Sequence, residues 1–587
     1  VAARVEDDEV ELAEFSPGVA LEDPVAERAE VLGGAGLGEA AGAEAVAGHG
    51  RTVHHRAPLL ARWHSIGPGT AHNSYFLRAT RAYLPPSVAP MLATARTFTL
   101  DGISARPVRV EVDVHRGLPG FAIVGLPDAA VREARERVRA ALVNCGFQFP
   151  LSRIVVNLAP ASLRKAGPGM DLAIAAALLR ASEQLEWEAM DRVAFAGELA
   201  LDGQVRPIHG ALAIAEAARE DGAGAIVVPA ENGPEAALAG GVGVVPLGSL
   251  AGLPALAAGE WESEPTPLQL RTGPPPGAPD LADLRGQPHL RRALEVAAAG
   301  GHSLLMVGPP GAGKSLAASR LPSILPPLGE VEALEVARVA SATGRLAGGL
   351  PAGRPFRAPH HTISAAGLIG GGTPPRPGEI TLADRGVLFL DELCEFRREV
   401  LEALRAPLET GEVSIVRASG RCLLPCRFML VAASNPCPCG RGEDDPDCTC
   451  MGSSVQRYQG KLSGALADRI DLLAAVSQPS AEEIGGAPGE SSATVRERVC
   501  AARERQEARL GAGRCNAEMT TAEVRGCELD PGAAALLADL YVRRRLSGRA
   551  HDRALRLART VADLAGAGRI GEDEMAQALQ LRRRDRV

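Results

Sequence analysis

One octapeptide constrains this chain more than anything else in it: Gly308-Pro309-Pro310-Gly311-Ala312-Gly313-Lys314-Ser315. It fits G-x-x-x-x-G-K-[ST]. It follows the apolar run Ser303-Leu304-Leu305-Met306-Val307 and leads into a helical pattern, the strand–turn–helix context the motif needs. Glycines let backbone N–H groups turn inward around phosphate oxygens, and the helix N-terminus adds positive potential. These eight residues therefore form the expected phosphate cradle. Lys314 is expected to reach the β- and γ-phosphates, and the Ser315 hydroxyl to bind Mg²⁺.

A second apolar run, Val387-Leu388-Phe389-Leu390, ends in Asp391-Glu392. Asp391 is expected to hold Mg²⁺ through water, and Glu392 to polarise the attacking water. Phosphoryl transfer needs positioning and charge stabilisation more than covalent chemistry, so the remaining parts should be polar and fixed. Leu430-Val431-Ala432-Ala433-Ser434 ends in Asn435, which can orient that water. Arg469, in Ser463-Gly464-Ala465-Leu466-Ala467-Asp468-Arg469-Ile470-Asp471, is a candidate arginine finger for a neighbouring subunit's ATP; the alternative is a salt bridge with Asp468 or Asp471. Arg549, Arg553 and Arg556 recur at i, i+4 and i+7 on one helical face, and Arg549 is the candidate for the γ-phosphate. Leu284-Arg285-Gly286-Gln287 lies where an adenine pocket is expected.

The rest of the composition sets limits. A length of 587 residues implies three or four domains. With net charge -8, any nucleic-acid contact needs a local basic surface. Eleven cysteines, four of them clustered at Cys437, Cys439, Cys448 and Cys450, indicate a reducing compartment and a metal-site candidate. Four thiolates suit a closed, structural Zn²⁺ site, although C-x-C pairs are tighter than the usual C-x-x-C. Reduced thiols on an extended loop remain the alternative. The uncharged run 236–259 is broken by prolines and glycines, and its Val-rich part reads as a buried strand, not a membrane span. The expected location is cytoplasmic.

Along the chain, residues 1–90 split into an acidic half and a basic half without periodicity, and read as a disordered or extraneous N-terminal extension. Residues 91–262 read as α+β: Val108 to Val114 alternate as a half-buried strand, a helix capped by Asp128 runs to about Asn144, Ile154 to Leu158 form a strand, and Asp171 to Ser182 a helix. A Pro-rich linker covers 263–279, an α/β core 280–477, and an Arg-rich helical tail 478–587. Val413 to Arg421 reads as a hairpin turning at Ser419-Gly420, with Arg417 and Arg421 able to contact phosphates or simply solvated.

These motifs resemble the magnesium-chelatase-like AAA+ proteins of the YifB/ComM type, over roughly 92–587. Pro355-Phe356-Arg357-Ala358-Pro359-His360-His361-Thr362, with Gly370-Gly371-Gly372 and Arg376-Pro377-Gly378-Glu379-Ile380, is similar to the family's helix-2 insert. Asn435-Pro436-Cys437-Pro438-Cys439-Gly440 and the block ending Arg469-Ile470-Asp471 match two more family segments. Leu546-Ser547 and Arg556 to Leu564 resemble the lid signature, which places Arg549 at the second-sensor position and Arg469 at the finger position. The resemblance implies an α/β multidomain fold: a Lon-protease-like N-terminal α+β domain, an AAA+ P-loop core with a helix-2 insert, and a C-terminal helical lid. Gly169 stands at the Lon nucleophile position, after Lys165, so no peptidase activity is expected. Where the family often has Ala-His-x-Gly, this chain has Ala383-Asp384-Arg385-Gly386, and that Asp could alter signalling near the site.

The resemblance further implies ATP and Mg²⁺, a homo-oligomeric ring of six subunits, and DNA as substrate in branch migration during uptake of transforming DNA. Two other readings stay open: a chelatase-I-like ATPase that remodels a protein partner, and an ATP-binding assembly protein.

Overall fold

The computed structural model describes residues 91–582, apart from 261–264, 268–278, 347–349, 352, 373–374, 418–419, 443–444, 462–465, 467 and 545–546. The expectation for 1–90 lies outside them. So do most of the Pro-rich stretch and Ser419, Asp444, Ser463, Gly464 and Leu546.

The N-terminal part is a mixed seven-stranded sheet. β1 (Met91–Asp101) and β2 (Ser104–His115) form a long antiparallel hairpin, paired from Met91↔Val114 to Asp101↔Ser104. Val108, Val110, Val112 and Val114 are all buried, so the alternation in sequence is the inward face of the strand. With β3 (Gly120–Val124), β4 (Arg153–Ala159), β5 (Val193–Phe195), β6 (Ala225–Pro229) and β7 (Gly243–Leu247), the order is β3-β4-β2-β1-β5-β6-β7. Helix α1 (Ala129–Asn144) starts where the Asp128 carboxylate accepts from the Val131 amide at 2.8 Å. Helix α2 (Asp171–Ala181) is almost wholly buried, and its Asp171 is held by Arg137 at 2.7 Å.

The second sheet has five parallel strands: β8 (Leu304–Val307), β9 (Phe356–Arg357), β10 (Val387–Leu390), β11 (Met429–Ser434) and β12 (Leu472–Ala475), in the order β9-β10-β11-β8-β12. β8, β10 and β11 are buried throughout, as strands covered on both faces must be. Helices α3 (Pro288–Gly300) and α4 (Lys314–Ile324) flank β8 in sequence. The C-terminal helices α5 (Ser492–Leu510), α6 (Pro531–Arg544), α7 (Gly548–Ala565) and α8 (Glu572–Gln580) share one apolar cluster with α3 and α4.

The two sheets are joined by specific contacts. Arg338 grips Glu216 through two hydrogen bonds of 2.8 and 2.7 Å, and the Gly210 amide donates to the Ser341 carbonyl. The β1–β2 turn inserts Ile103 into the cluster containing Ile415 and Leu424 of the 412–425 hairpin. That hairpin turns its other face outward, with Val416 66% and Leu423 50% exposed. No described helix is long and apolar enough to cross a membrane.

Candidate functional site

The octapeptide leaves β8 at its C-terminal end and enters α4. Gly308 is obligatory for a steric reason: a Cβ there would lie 2.1 Å from the Val476 carbonyl oxygen. Gly313, with φ +89°, turns the chain into the helix at Lys314. Lys314 is 8% exposed, and its ammonium donates to the carbonyls of Gly308 (2.6 Å) and Pro309 (2.9 Å) and to Asn435 Oδ1 (3.1 Å). Burial pushes its pKa down, opposed by the Asp391 and Glu392 carboxylates. All three acceptors are neutral, so a polyphosphate offers this buried cation a stronger partner.

Parallel pairing places the other groups beside it. Val307 pairs with Ser434 and Leu390 with Ala432, so the residues after β8, β10 and β11 emerge along one sheet edge. Ser315 Oγ donates to Asp391 Oδ2 at 2.6 Å, a hydroxyl and a carboxylate set as hard oxygen ligands that suit Mg²⁺. Glu392 sits in the left-handed region at φ +51°, and its amide donates to Asp391 Oδ1 at 2.9 Å. Gln287 lies against the cradle, donating to the Ala312 carbonyl at 2.8 Å; its Oε1 is buried without a partner. Leu284 is buried beside Gly313. The structure thus gathers Lys314, Ser315, Asp391, Glu392, Asn435 and Gln287.

His361 joins this group without having been singled out in the sequence. Its Nδ1 lies 3.4 Å from Glu392 Oε2, and its ring sits 4.1 Å from that of His360. The signal was the His-His pair in the insert block; its partner, 31 residues on, left no mark in the pattern.

The arginines stand at the other end of the sheet. Asp471 and Arg469 precede β12, whose first residue Leu472 pairs with Leu304, the start of β8. Four strand residues, roughly 13 Å of rise, separate that end from the cradle. Arg469 pairs with Glu409, while Asp471 takes Arg553 at 3.5 Å. Arg556 donates to the Met519 carbonyl at 2.6 Å. Two of the three helical-face arginines are thereby built into the packing, and Arg549, one turn before Arg553 at the start of α7, is exposed. Asp384 is also turned from the site: it precedes β10, is buried, and accepts from the Arg427 amide at 2.7 Å. Burial raises its pKa to about 6. The expectation that it could modulate the site from close by is therefore corrected, because Asp391 leaves the opposite end of that strand.

The four clustered cysteines come together, their sulfurs all within 4.8 Å of one another. Cys422 and Cys426 are buried elsewhere, with the inward face of the hairpin, as ordinary core cysteines. A cavity of about 800 Å³ lies between the two sheets, lined among others by Gly169, Asp128, His209, Arg345 and Arg376. Gly169 faces it, whereas Lys165 is fully buried, donates to the Pro160 carbonyl and is not part of that lining.

Comparison with known proteins gives the family of the chain. Residues 280–484 match the family described as magnesium chelatase, subunit ChlI. Residues 110–232 match subunit ChlI of Mg-chelatase, and 489–582 its C-terminal segment. An uncharacterized protein of Mycobacterium tuberculosis is 45% identical over 507 residues, covering 84% of this chain and 99% of that protein. YifB of Escherichia coli K12, also uncharacterized, is 41% identical over 84% of this chain and 98% of its own length. The competence protein ComM of Haemophilus influenzae is 42% identical over 82% and 95% respectively.

Proposed function

The chain belongs to the YifB/ComM family of magnesium-chelatase-like AAA+-type ATPases, and from that premise we propose that it is a ring-forming motor, six subunits to the ring, that drives branch migration of DNA taken up for recombination. One observation carries the reading. Lys314, Ser315, Asp391, Glu392 and Asn435 meet at one edge of the parallel sheet, while Arg469 precedes β12 at its other end and Arg549 lies one helical turn before Arg553, which pairs with Asp471 there. The length of β8, roughly 13 Å, lies between the cradle and the end where Arg469 precedes β12, and on this reading the arginines serve a neighbour's nucleotide and each site needs two subunits.

Within the site the chain's own groups divide the work. The cradle amides and Lys314 orient the phosphates, exchanging weak carbonyl contacts for charged ones. Mg²⁺, when held by Ser315 and through water by Asp391, neutralises phosphate charge. Glu392 accepts the proton of the attacking water, Asn435 orients that water, and His361 holds the Glu392 carboxylate. Arg469 and Arg549 meet charge developing on the γ-phosphate across the subunit boundary. The N-terminal sheet is a Lon-like domain turned to assembly, not peptide cleavage, since Gly169 offers no hydroxyl and Lys165 is engaged elsewhere. The C-terminal helices form the lid.

DNA is favoured by the exposed hairpin bearing Arg417 and Arg421 and by the likeness to a competence protein. The same hairpin exposes Val416 and Leu423, and that apolar surface favours, as second reading, a chelatase-like motor acting on a protein partner. The deciding experiment measures ATP hydrolysis and strand exchange on a four-way DNA junction, at stated salt, for the intact chain and for Glu392→Gln. The intact chain should be stimulated by the junction and move it. The variant should bind ATP yet lose about 100-fold or more of its turnover. Hydrolysis indifferent to DNA, with no strand movement, would transfer the proposal to the protein-remodelling reading.

A further inference from the structure

The cysteine loop touches the nucleotide site at two points. It lies in the 17 residues between β11 and the helix Gly452–Gln459, a longer connection than most in compact domains. Its first residue is Asn435, whose side chain meets Lys314 at 3.1 Å. Two residues on, Cys437 is fully buried, and its sulfur accepts from the Gly442 amide at 3.3 Å. Gly440, at φ +87°, lies flat on the cradle: a Cβ there would come within 2.7 Å of Pro310 Cδ. The Gln459 amide donates to the Pro436 carbonyl at 3.1 Å, tying the loop's start to the helix that follows it.

The sulfur geometry fits a metal. Cys437 lies 3.3 Å from Cys439 and 3.8 Å from Cys448, and Cys439 lies 3.6 Å from Cys448. Four thiolates at tetrahedral zinc distances stand about 3.8 Å apart. All four cysteines are free of disulfides, and an amide hydrogen bond to a ligand sulfur is the kind of outer contact that fixes ligand orientation.

We propose that Cys437, Cys439, Cys448 and Cys450 bind one Zn²⁺, and that this metal acts as a clamp that holds Asn435 against Lys314 and Gly440 against Pro310, so that occupancy of the cysteine site sets the geometry of the phosphate cradle. An unclamped loop of this length has many conformations in which neither contact survives, and the entropy of ordering it falls on the metal. The consequence for turnover rests on the ATPase reading; the consequence for the cradle does not.

The test uses the full chain, purified under reducing conditions. Zinc is quantified, removed with a chelator and added back as Zn²⁺ alone. Amide hydrogen exchange is followed at 308–315 and 435–442, with the β1–β2 hairpin as internal control, and affinity for a fluorescent ATP analogue is measured on the same samples. The expectation is one zinc per chain. Its removal should deprotect both segments and spare the control. It should weaken analogue binding about tenfold, with hydrolysis falling as much as about 100-fold for a misplacement near 1 Å. Added Zn²⁺ should restore each. The double variant Cys448→Ser/Cys450→Ser, whose changes lie on the arm that does not touch the cradle, should reproduce the stripped state. Arg441→Ala, which breaks only the 2.7 Å surface pair with Asp447, should leave zinc and exchange unchanged. A chain that binds no zinc overturns the site. Exchange at 308–315 indifferent to zinc overturns the clamp, and does so even if the analogue never binds, an outcome that would instead sink the ATPase reading. Should the double variant not fold, the chelator and add-back series on the intact chain decides alone.

Discussion

The two ends of the five-stranded sheet are built from opposite habits. At the C-terminal end of β8, charged and hydroxyl groups meet one another or neutral carbonyls at the surface of a cleft: Lys314 on backbone oxygens, Ser315 on Asp391. At the N-terminal end, ionic groups are buried and matched. Asp471 accepts from Ser303 Oγ at 3.2 Å, faces His302 at 3.5 Å and pairs with Arg553, while His302 meets Thr560 at 2.7 Å. That cluster fastens α7 beneath the sheet and leaves Arg469 and Arg549 at its margin. One end is left ready to exchange partners; the other is closed by groups already matched to one another. On the reading proposed above, the two halves of the hydrolytic site belong to one chain and meet only across a subunit boundary.

The largest expected effect breaks this separation directly. Arg469→Ala should lower ATP turnover by about 1,000-fold, the usual worth of an arginine supplied across a boundary. Lys314→Ala should be inactive for want of phosphate binding. Mixed together, the two inactive chains should recover measurable hydrolysis, because some boundaries then pair an intact cradle with an intact arginine. A mixture as dead as its components, or full activity from a monomer in sedimentation, would show that Arg469 does not act on a neighbour.

The cradle end was legible in the sequence because each of its parts is local. An apolar run, a glycine turn and a helix start specify Gly308 to Ser315 within one segment, and strands ending in Asp391 and Asn435 need only parallel pairing to converge. The Asp128 cap is visible for the same reason, one side chain serving an amide three residues on. The base was not legible. Arg469 pairs with Glu409, 60 residues away, where sequence alone offered Asp468 or Asp471; Asp471 pairs with Arg553, 82 residues on. Gly440 on Pro310 and Ile103 beneath the 412–425 hairpin are likewise contacts between distant segments, and local pattern carries no record of them.

A second, smaller effect sharpens the contrast in kind. Asp471→Asn should cost about 3 kcal/mol in the unfolding transition that reports the C-terminal helices, because it strands the half-buried Arg553 guanidinium without its charge. Nucleotide affinity at the far end of the strands should be unchanged. The wild-type pair also carries a pH dependence. Burial alone would raise the Asp471 pKa, but His302, Arg553 and Arg582 outweigh it and hold the carboxyl below its ordinary value. The stability it confers is therefore present above about pH 4 and is lost as the pH falls through the depressed folded value. A variant that lost ATP binding without losing stability would mean that the base is not the structural end.

The smallest effect concerns Asp384, the acid that stands where the family often carries His. Its folded pKa is raised to about 6, with one oxygen on the Arg427 amide and the other buried without a partner. The sign is opposite to that of Asp471. Between the unfolded value near 4 and the folded value near 6, the native chain holds a proton that the unfolded chain has released, so stability falls as pH rises through that window. Asp384→Asn keeps the accepting oxygen, supplies a neutral amide in place of the unpartnered one, and cannot titrate. It should therefore flatten this part of the stability profile, gaining roughly 2–3 kcal/mol over the wild type at pH 8 relative to pH 4. ATP turnover should be unmoved, since the carboxylate sits at the start of β10 and Asp391 follows its end. Paired denaturant titrations at the two pH values, read beside ATPase rates, separate the possibilities. A change in turnover at constant stability would return Asp384 to the nucleotide site, and an unaltered pH profile would place its proton elsewhere than the buried turn before β10.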